Sequence, residues 1–203
     1  MTIDWAAPEV VCNLLWAAWY ATWLAAVVFS ARTTAQMGTD AAGLHRMLSG
    51  FGVLLLFWPA GSGRPLFGVE ALGQFTQKLW IEPVDIAWTL VGLTVAGFAF
   101  CWWARLHLGR LWSGFTTIKE GHHIVDTGPY GLVRHPIYSG LMFSAFMTAG
   151  LRASPAAFCG AALVTIGFAL TAGIEERFLR EQLGAEAYGP YARRVPMLVP
   201  RIL

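Results

Sequence analysis

The sequence predicts an all-α, polytopic membrane protein with about five transmembrane helices. It is 56% hydrophobic but only 13% charged, about half the roughly 25% charge expected of a soluble domain. Five apolar stretches approach the roughly 20 residues that a helix needs to cross a bilayer. Between the third and fourth lies Gly121 to Gly140, GHHIVDTGPYGLVRHPIYSG. Polar and ionisable groups are costly to hold at a membrane edge and mark a site of chemistry.

The five expected spans are Glu9–Ala31, Leu44–Ala60, Val84–Ala104, Ile137–Leu151 and Pro155–Ile174. The second and fourth are short, which implies tilt or a start in the interface. Met1–Trp5 lacks a basic region and no small-residue cleavage site follows, so the first span reads as a retained anchor. Only Arg152-Ala153-Ser154 separates the last two spans, which requires a tight antiparallel hairpin. Ser154 followed by Pro155 reads as an N-cap and a first-turn proline. Small residues at helical spacing, Gly140, Ser144 and Thr148 on the fourth span and Gly92 with Ala96 on the third, predict close helix approach. Gly61–Pro83 reads as an external loop without chemistry.

Loop charge sets the orientation. With the N-terminus outside, Arg32, Arg46, Arg105, Arg110, Lys119, Arg134 and arginines 177, 180, 193, 194 and 201 lie inside, leaving Arg64, Lys78 and Arg152 outside. The positive-inside rule thus puts the 121–140 loop and the C-terminal tail together in the cytosol, as for a bacterial inner-membrane protein. The net charge of +2 and the lack of a basic, aromatic-studded stripe exclude nucleic acid. Cys12, Cys101 and Cys159 all fall in apolar segments, without a disulfide framework or a CxxC metal pair.

Three kinds of group in the loop carry chemistry. The turn Asp126–Gly131 bares its backbone through glycine. His122, His123 and His135 supply imidazoles. Tyr130 and Tyr138 supply rings with polar tips, readable equally as an interfacial belt. Pro136 opens the fourth span, so His135 sits at a helix N-terminus with free backbone donors. Arg134 reads either as an interfacial anchor or as a site group. His122-His123 lacks partners that complete a zinc set, so no metal is expected. Glu175-Glu176 closes the last apolar segment at the negative end of its helix dipole. Glu176 has Arg180 one turn on, and Glu175 has no such obvious partner.

GHHIVDTGPYGLVRHPIYSG, then Glu175-Glu176, then Leu183–Tyr188 and Tyr191–Pro196, resembles the isoprenylcysteine carboxyl methyltransferase family within a broader membrane methyltransferase group. Leu108–Ser113 also looks like its bacterial members. The likeness covers about residues 105 to 200, which divides the chain into N-terminal helices (1–104) and a catalytic region (105–203).

The resemblance implies transfer of a methyl group from S-adenosyl-L-methionine, held in a cytosol-facing C-terminal region, to an apolar or lipid-linked acceptor arriving from the bilayer. It assigns His122, His123, Ile124, Val125, Tyr130, His135, Pro136, Ile137, Tyr138 and Glu175 to the cofactor. Thr171 and Glu176 fall on the acceptor side, and Arg134 or His135 would act on the reacting groups. The family's acceptor-binding arginine stands one turn before its glutamate, where this chain has Thr171. That substitution leaves two further acceptors open, a phospholipid amine (phosphatidylethanolamine) and a small thiol. A sterol-reductase-like or non-catalytic membrane protein is the reading outside methyl transfer. A sulfonium already carries a good leaving group, so alignment supplies the catalysis, roughly 7–11 kcal/mol. Rings such as Tyr130, Tyr138 or Trp112 would attract the sulfonium.

Overall fold

The computed structural model describes residues 7–26, 33–36, 43–59, 69–112, 117–119 and 124–200. Seven helices appear among them: α1 (Pro8–Ala25), α2 (Gly43–Leu56), α3 (Val84–Leu108), α4 (Pro129–Leu132), α5 (Pro136–Arg152), α6 (Pro155–Leu183) and α7 (Ala185–Arg194). Two short strands, β1 (Thr33–Gln36) and β2 (Thr117–Lys119), pair antiparallel with Ala35 opposite Ile118. They tie together the segments that follow α1 and α3. Among the described residues this small ladder departs from the all-helical fold, and it carried no signal in the sequence.

Each expected span has its helix, and the ends follow local chemistry. Ser154 caps α6 by accepting the Ala157 N–H at 3.3 Å, as its place before Pro155 predicts. Ala153 makes the hairpin corner with a left-handed φ of 50°, and its carbonyl accepts from the Leu79 N–H at 2.7 Å. Gly109 ends α3 at φ 58°, where the Arg105 carbonyl accepts its N–H. Gly184 ends α6 at φ 86°.

The largest correction concerns α6, which runs nine residues past Ile174 to Leu183. At 1.5 Å per residue its 29 residues extend roughly 44 Å, well beyond the roughly 30 Å hydrocarbon core. Glu175 and Glu176 therefore sit inside a continuing helix, two turns before its end. The apolar run stops there, but Arg177–Leu183 still favours helix, so the polarity change does not mark the helix end.

Two close crossings organise the bundle. Where α3 meets α5, a Cβ on Gly140 would lie 2.6 Å from Cys101 Sγ and 2.7 Å from the Gly97 carbonyl. Ser144 Oγ donates to the Thr94 carbonyl at 3.1 Å across the same seam. Gly140, Ser144 and Thr148 thus form a packed stripe, as expected. On α3, however, the facing residues are Thr94, Gly97 and Cys101; Gly92 and Ala96 are exposed, and nothing lies within 4 Å of a Cβ built on Gly92. Where α2 meets α6, a Cβ on Gly160 would lie 2.5 Å from the Gly52 carbonyl.

An aromatic seam joins α1 to α3. Phe98 meets Trp16 at 4.7 Å and Trp19 at 5.5 Å, and Trp23 meets Trp102 at 5.6 Å and Trp112 at 5.3 Å. Outward faces remain apolar, with Leu14, Trp88, Val95, Phe143, Phe146 and Ile166 all exposed. A surface of this kind suits lipid. By length and composition α3 and α6 can each cross a membrane, and α2 contributes a shorter apolar helix from His45 to Leu56. Polar clusters mark the two ends. At one, Lys78 Nζ lies 2.6 Å from Glu9 and 3.3 Å from Glu82, and Arg152 donates to Asn13 Oδ1 at 2.6 Å. The other end holds the candidate site.

Candidate functional site

The corner between α4 and α5 is built by Val133, Arg134 and His135. Val133 is fully buried and anchors the turn. The Arg134 N–H donates to the Pro196 carbonyl at 2.9 Å and the His135 N–H to the Met197 carbonyl at 3.1 Å. Ser139 Oγ reaches the Leu198 carbonyl. The C-terminal tail therefore runs along the corner as a strap. Because of it, the His135 backbone donor is not free, contrary to the expectation for a bare helix N-terminus.

Side chains lock the same parts together. Arg134 Nε donates to Glu176 Oε1 at 2.6 Å and its Nη2 lies 2.6 Å from the same oxygen, so the guanidinium converges on one oxygen of the carboxylate in a charge-assisted contact. Its Nη1 donates to the Ala192 carbonyl at 2.7 Å and also to the Val195 carbonyl. Arg134 thereby staples α6 to the end of α7 and is no lipid-facing anchor. Arg180 stands 3.9 Å from Glu176 but is half exposed, so Arg134 is the principal partner.

His135 lies between the two glutamates, its Nδ1 3.4 Å from Glu175 Oε2 and its Nε2 3.4 Å from Glu176 Oε1. Nε2 is buried and has an ion-pair distance but no hydrogen bond. Burial alone would lower the imidazole pKa. The Glu175 and Glu176 carboxylates facing the ring outweigh burial and raise it above its ordinary 6.5. Two basic side chains, Arg134 and His135, thus face two carboxylates, Glu175 and Glu176.

Tyr138 donates from its hydroxyl to Glu175 Oε1 at 2.7 Å. Its ring is stacked between His135 at 5.6 Å and Phe168 at 4.9 Å. Tyr130 is buried with His107 stacked at 6.4 Å, and its carbonyl accepts from the Tyr191 hydroxyl at 2.9 Å. Burial, reinforced by Tyr191 and Glu175, raises the Tyr130 phenol pKa well above its usual range. Burial likewise pushes Tyr188 up to about 12. Neither site tyrosine is an exposed belt residue. The Trp112 ring carries the Arg105 guanidinium 4.3 Å from its centroid. All three rings expected to face a sulfonium thus already have a partner.

The remaining expected residues are placed as follows. Pro136 is fully buried, and the Ile137 carbonyl accepts from Cys101 Sγ at 3.3 Å. Ile124 packs on the Tyr188–Tyr191–Val195 cluster, and Val125 lies beside it, half buried. Thr171 spends its hydroxyl on the Gly167 carbonyl, 2.8 Å away and one turn back. His122 and His123 lie outside the described residues. Among the described residues no cluster of three or more His, Cys, Asp or Glu side chains could hold a metal.

Four further contributors were given no role from the sequence. Phe168 completes the Tyr138 stack, Ser139 and Tyr191 tie down the strap, and His107 meets Thr127 Oγ1 at 2.9 Å. Ser139 and Tyr191 had a visible signal, the first one turn past His135 and the second opening the Tyr191–Pro196 motif. The donor set fits a ligand that brings hydroxyl or ammonium donors. Glu175 is an accepting carboxylate with 19% of its side chain exposed, oriented by Tyr138 and His135, whereas Glu176 is turned inward at 9%.

Residues 90–181 match the isoprenylcysteine carboxyl methyltransferase (ICMT) family, the family whose motifs the loop and the Glu175-Glu176 pair resemble. Methanethiol S-methyltransferase 2 of Bradyrhizobium diazoefficiens is 30% identical over 167 residues, 77% of this chain and 58% of that protein. Protein-S-isoprenylcysteine O-methyltransferase B of Arabidopsis thaliana is 30% identical over 127 residues, 61% of each chain. The cobalt-zinc-cadmium resistance protein CzcN of Cupriavidus metallidurans is 27% identical over 128 residues, 61% of this chain and 52% of that protein. The chain thus spans between about half and three fifths of the length of these relatives.

Proposed function

We propose that this chain is an integral-membrane methyltransferase that uses S-adenosyl-L-methionine, with five helices in the bilayer and its site at the cytosolic end. The observation that carries the reading is the meeting of His135, Tyr138 and Glu175 on one corner, inside the segment that matches a methyltransferase family. That corner also lies under the C-terminal strap.

The cofactor, when bound, supplies a methyl group on a positively charged sulfur. Glu175 would accept hydrogen bonds from its ribose hydroxyls or ammonium. Tyr138 and His135 hold that carboxylate in place, and Tyr130 would close the floor. Ile124 and Val125 would line the cradle, and the resemblance adds His122 and His123 to the residues that would hold the cofactor. Pro136 and Ile137 fix the corner by their burial, and Arg134 with Glu176 holds the strap over it. The work of these residues is alignment and exclusion of water, and an anionic acceptor needs no general base.

The acceptor is apolar or lipid-linked and enters between the helices from the bilayer. A small thiol is the second reading. It is favoured by Thr171 in the place of an acceptor-binding arginine and by the methanethiol S-methyltransferase relative. Incubating membranes that contain the chain with methyl-labelled S-adenosylmethionine separates the two. Label in the lipid or prenylated fraction supports the first, and label in a volatile thioether supports the second. No enzyme-dependent label in either fraction rejects methyl transfer to these acceptors.

A further inference from the structure

Arg105 differs from the other arginines packed in the bundle. Arg134 has the Glu176 carboxylate and Arg152 the Asn13 side-chain carbonyl as acceptors, whereas among the described residues Arg105 has only backbone carbonyls. Arg105, on the last turn of α3 and only 4% exposed, has no carboxylate within ion-pair distance among the described residues. Its Nη1 donates to the Gly109 carbonyl and its Nη2 to the Ala26 carbonyl, each at 2.8 Å. These bonds close the C-terminal ends of α3 and α1, where the helix dipoles are negative. Capping accounts for those two donors and no more. The Nε–H is buried without a partner, and a buried, unmatched charged donor carries a free-energy penalty.

The end of α3 meets the same corner as the site: Cys101, one turn before Arg105, donates from Sγ to the Ile137 carbonyl at 3.3 Å, and His107 stacks on Tyr130 at 6.4 Å. A guanidinium edge is well shaped for a carboxylate, which takes parallel N–H donors. We propose that Arg105 is an anion subsite beside Glu175, taking a ligand carboxylate on its free Nε–H edge. This rests on the methyl-transfer reading and names two sources of the group. One is the amino-acid tail of S-adenosylmethionine. The other is an acceptor carboxylate, for which α3 would supply the cation that Thr171 does not supply from α6.

The test uses the full chain in detergent and compares S-adenosylmethionine with its decarboxylated analogue. If the donor tail is the source, the wild type prefers the carboxylated form by roughly tenfold to a hundredfold. Arg105→Met brings the two affinities together, and Arg105→Lys, which keeps the charge but loses the fork, falls between. If the acceptor is the source, both donors bind alike in every variant. Inhibition by a prenyl-thioether carboxylic acid over its carboxamide is then what Arg105→Met abolishes. Both preferences unchanged in Arg105→Met and Arg105→Lys would overturn the subsite and leave Arg105 a helix cap. A ratio of affinities does not move when a residue is merely structural, and Arg105→Lys carries the test if the methionine variant fails to fold. A wild type that binds neither donor rejects the methyl-transfer reading itself, and the subsite with it.

Discussion

Replacing Arg134 with methionine should be among the most damaging single changes at the site end of the bundle. Its guanidinium makes two 2.6 Å contacts to Glu176 Oε1, with the side chains only 10% and 9% exposed, and it donates to two carbonyls at the close of α7. Breaking a buried pair by deleting one partner costs about 3–5 kcal/mol, because the other charge stays buried. His135, 3.4 Å from the same oxygen, still partly compensates Glu176, which puts Arg134→Met near the lower end, about 3 kcal/mol. Glu176→Leu strands the arginine instead and costs a similar amount. The double variant strands neither, so its cost falls short of the sum by about 2 kcal/mol. Reversible unfolding in mixed micelles measures all three, and protease protection of the Tyr188–Val195 segment reports the strap directly. A coupling below about 0.5 kcal/mol, or a strap equally protected in Arg134→Met, would refute the staple.

Three further outcomes follow from the same geometry. Gly140→Val should destabilise by at least about 1–3 kcal/mol, since its Cβ would meet Cys101 Sγ and the Gly97 carbonyl; an unchanged unfolding midpoint would contradict the crossing. Lys78→Met should cost about 1–3 kcal/mol, because the exposed Glu9 pair adds little but Glu82, 7% exposed and 3.3 Å away, loses its cation; an unchanged unfolding midpoint would contradict that pairing. His135 has a raised folded-state pKa, so its charge contributes stability that is complete below about 6.5 and is lost as pH rises through the elevated value. The stability difference between wild type and His135→Asn should therefore shrink with rising pH; a difference that grows would reverse the assigned sign.

The helical spans were legible because hydropathy and proline placement act locally, and Ser154-Pro155 marked the hairpin as well as any residue could. The position of Glu175-Glu176 within its helix was not legible. Loss of hydropathy signals the membrane edge, while the helix itself continues through the favourable Arg177–Leu183. Gly97 escaped notice for a similar reason. A small-residue stripe announces close packing but not which helix face bears it, and Gly92 looked as good on the sequence. The site showed the complementary limit. His135, Tyr138 and Glu175 were recognisable as types at their positions, whereas the strap contacts of Arg134 and Ser139 join residues about sixty positions apart, mostly to backbone carbonyls that no side-chain pattern encodes. The partners of the three aromatic rings depend on packing in the same way.

On the proposed function, one corner, oriented by Tyr138 and His135 around Glu175, receives the methyl donor. Equilibrium binding of S-adenosylhomocysteine to the purified chain at neutral pH tests it most directly, comparing wild type with Glu175→Gln. Losing charge-assisted hydrogen bonds of about 1.5–3 kcal/mol should weaken binding by roughly tenfold to a hundredfold, while Lys78→Met at the opposite end leaves it unchanged. Equal affinity in wild type and Glu175→Gln, with both chains folded, would contradict the claim.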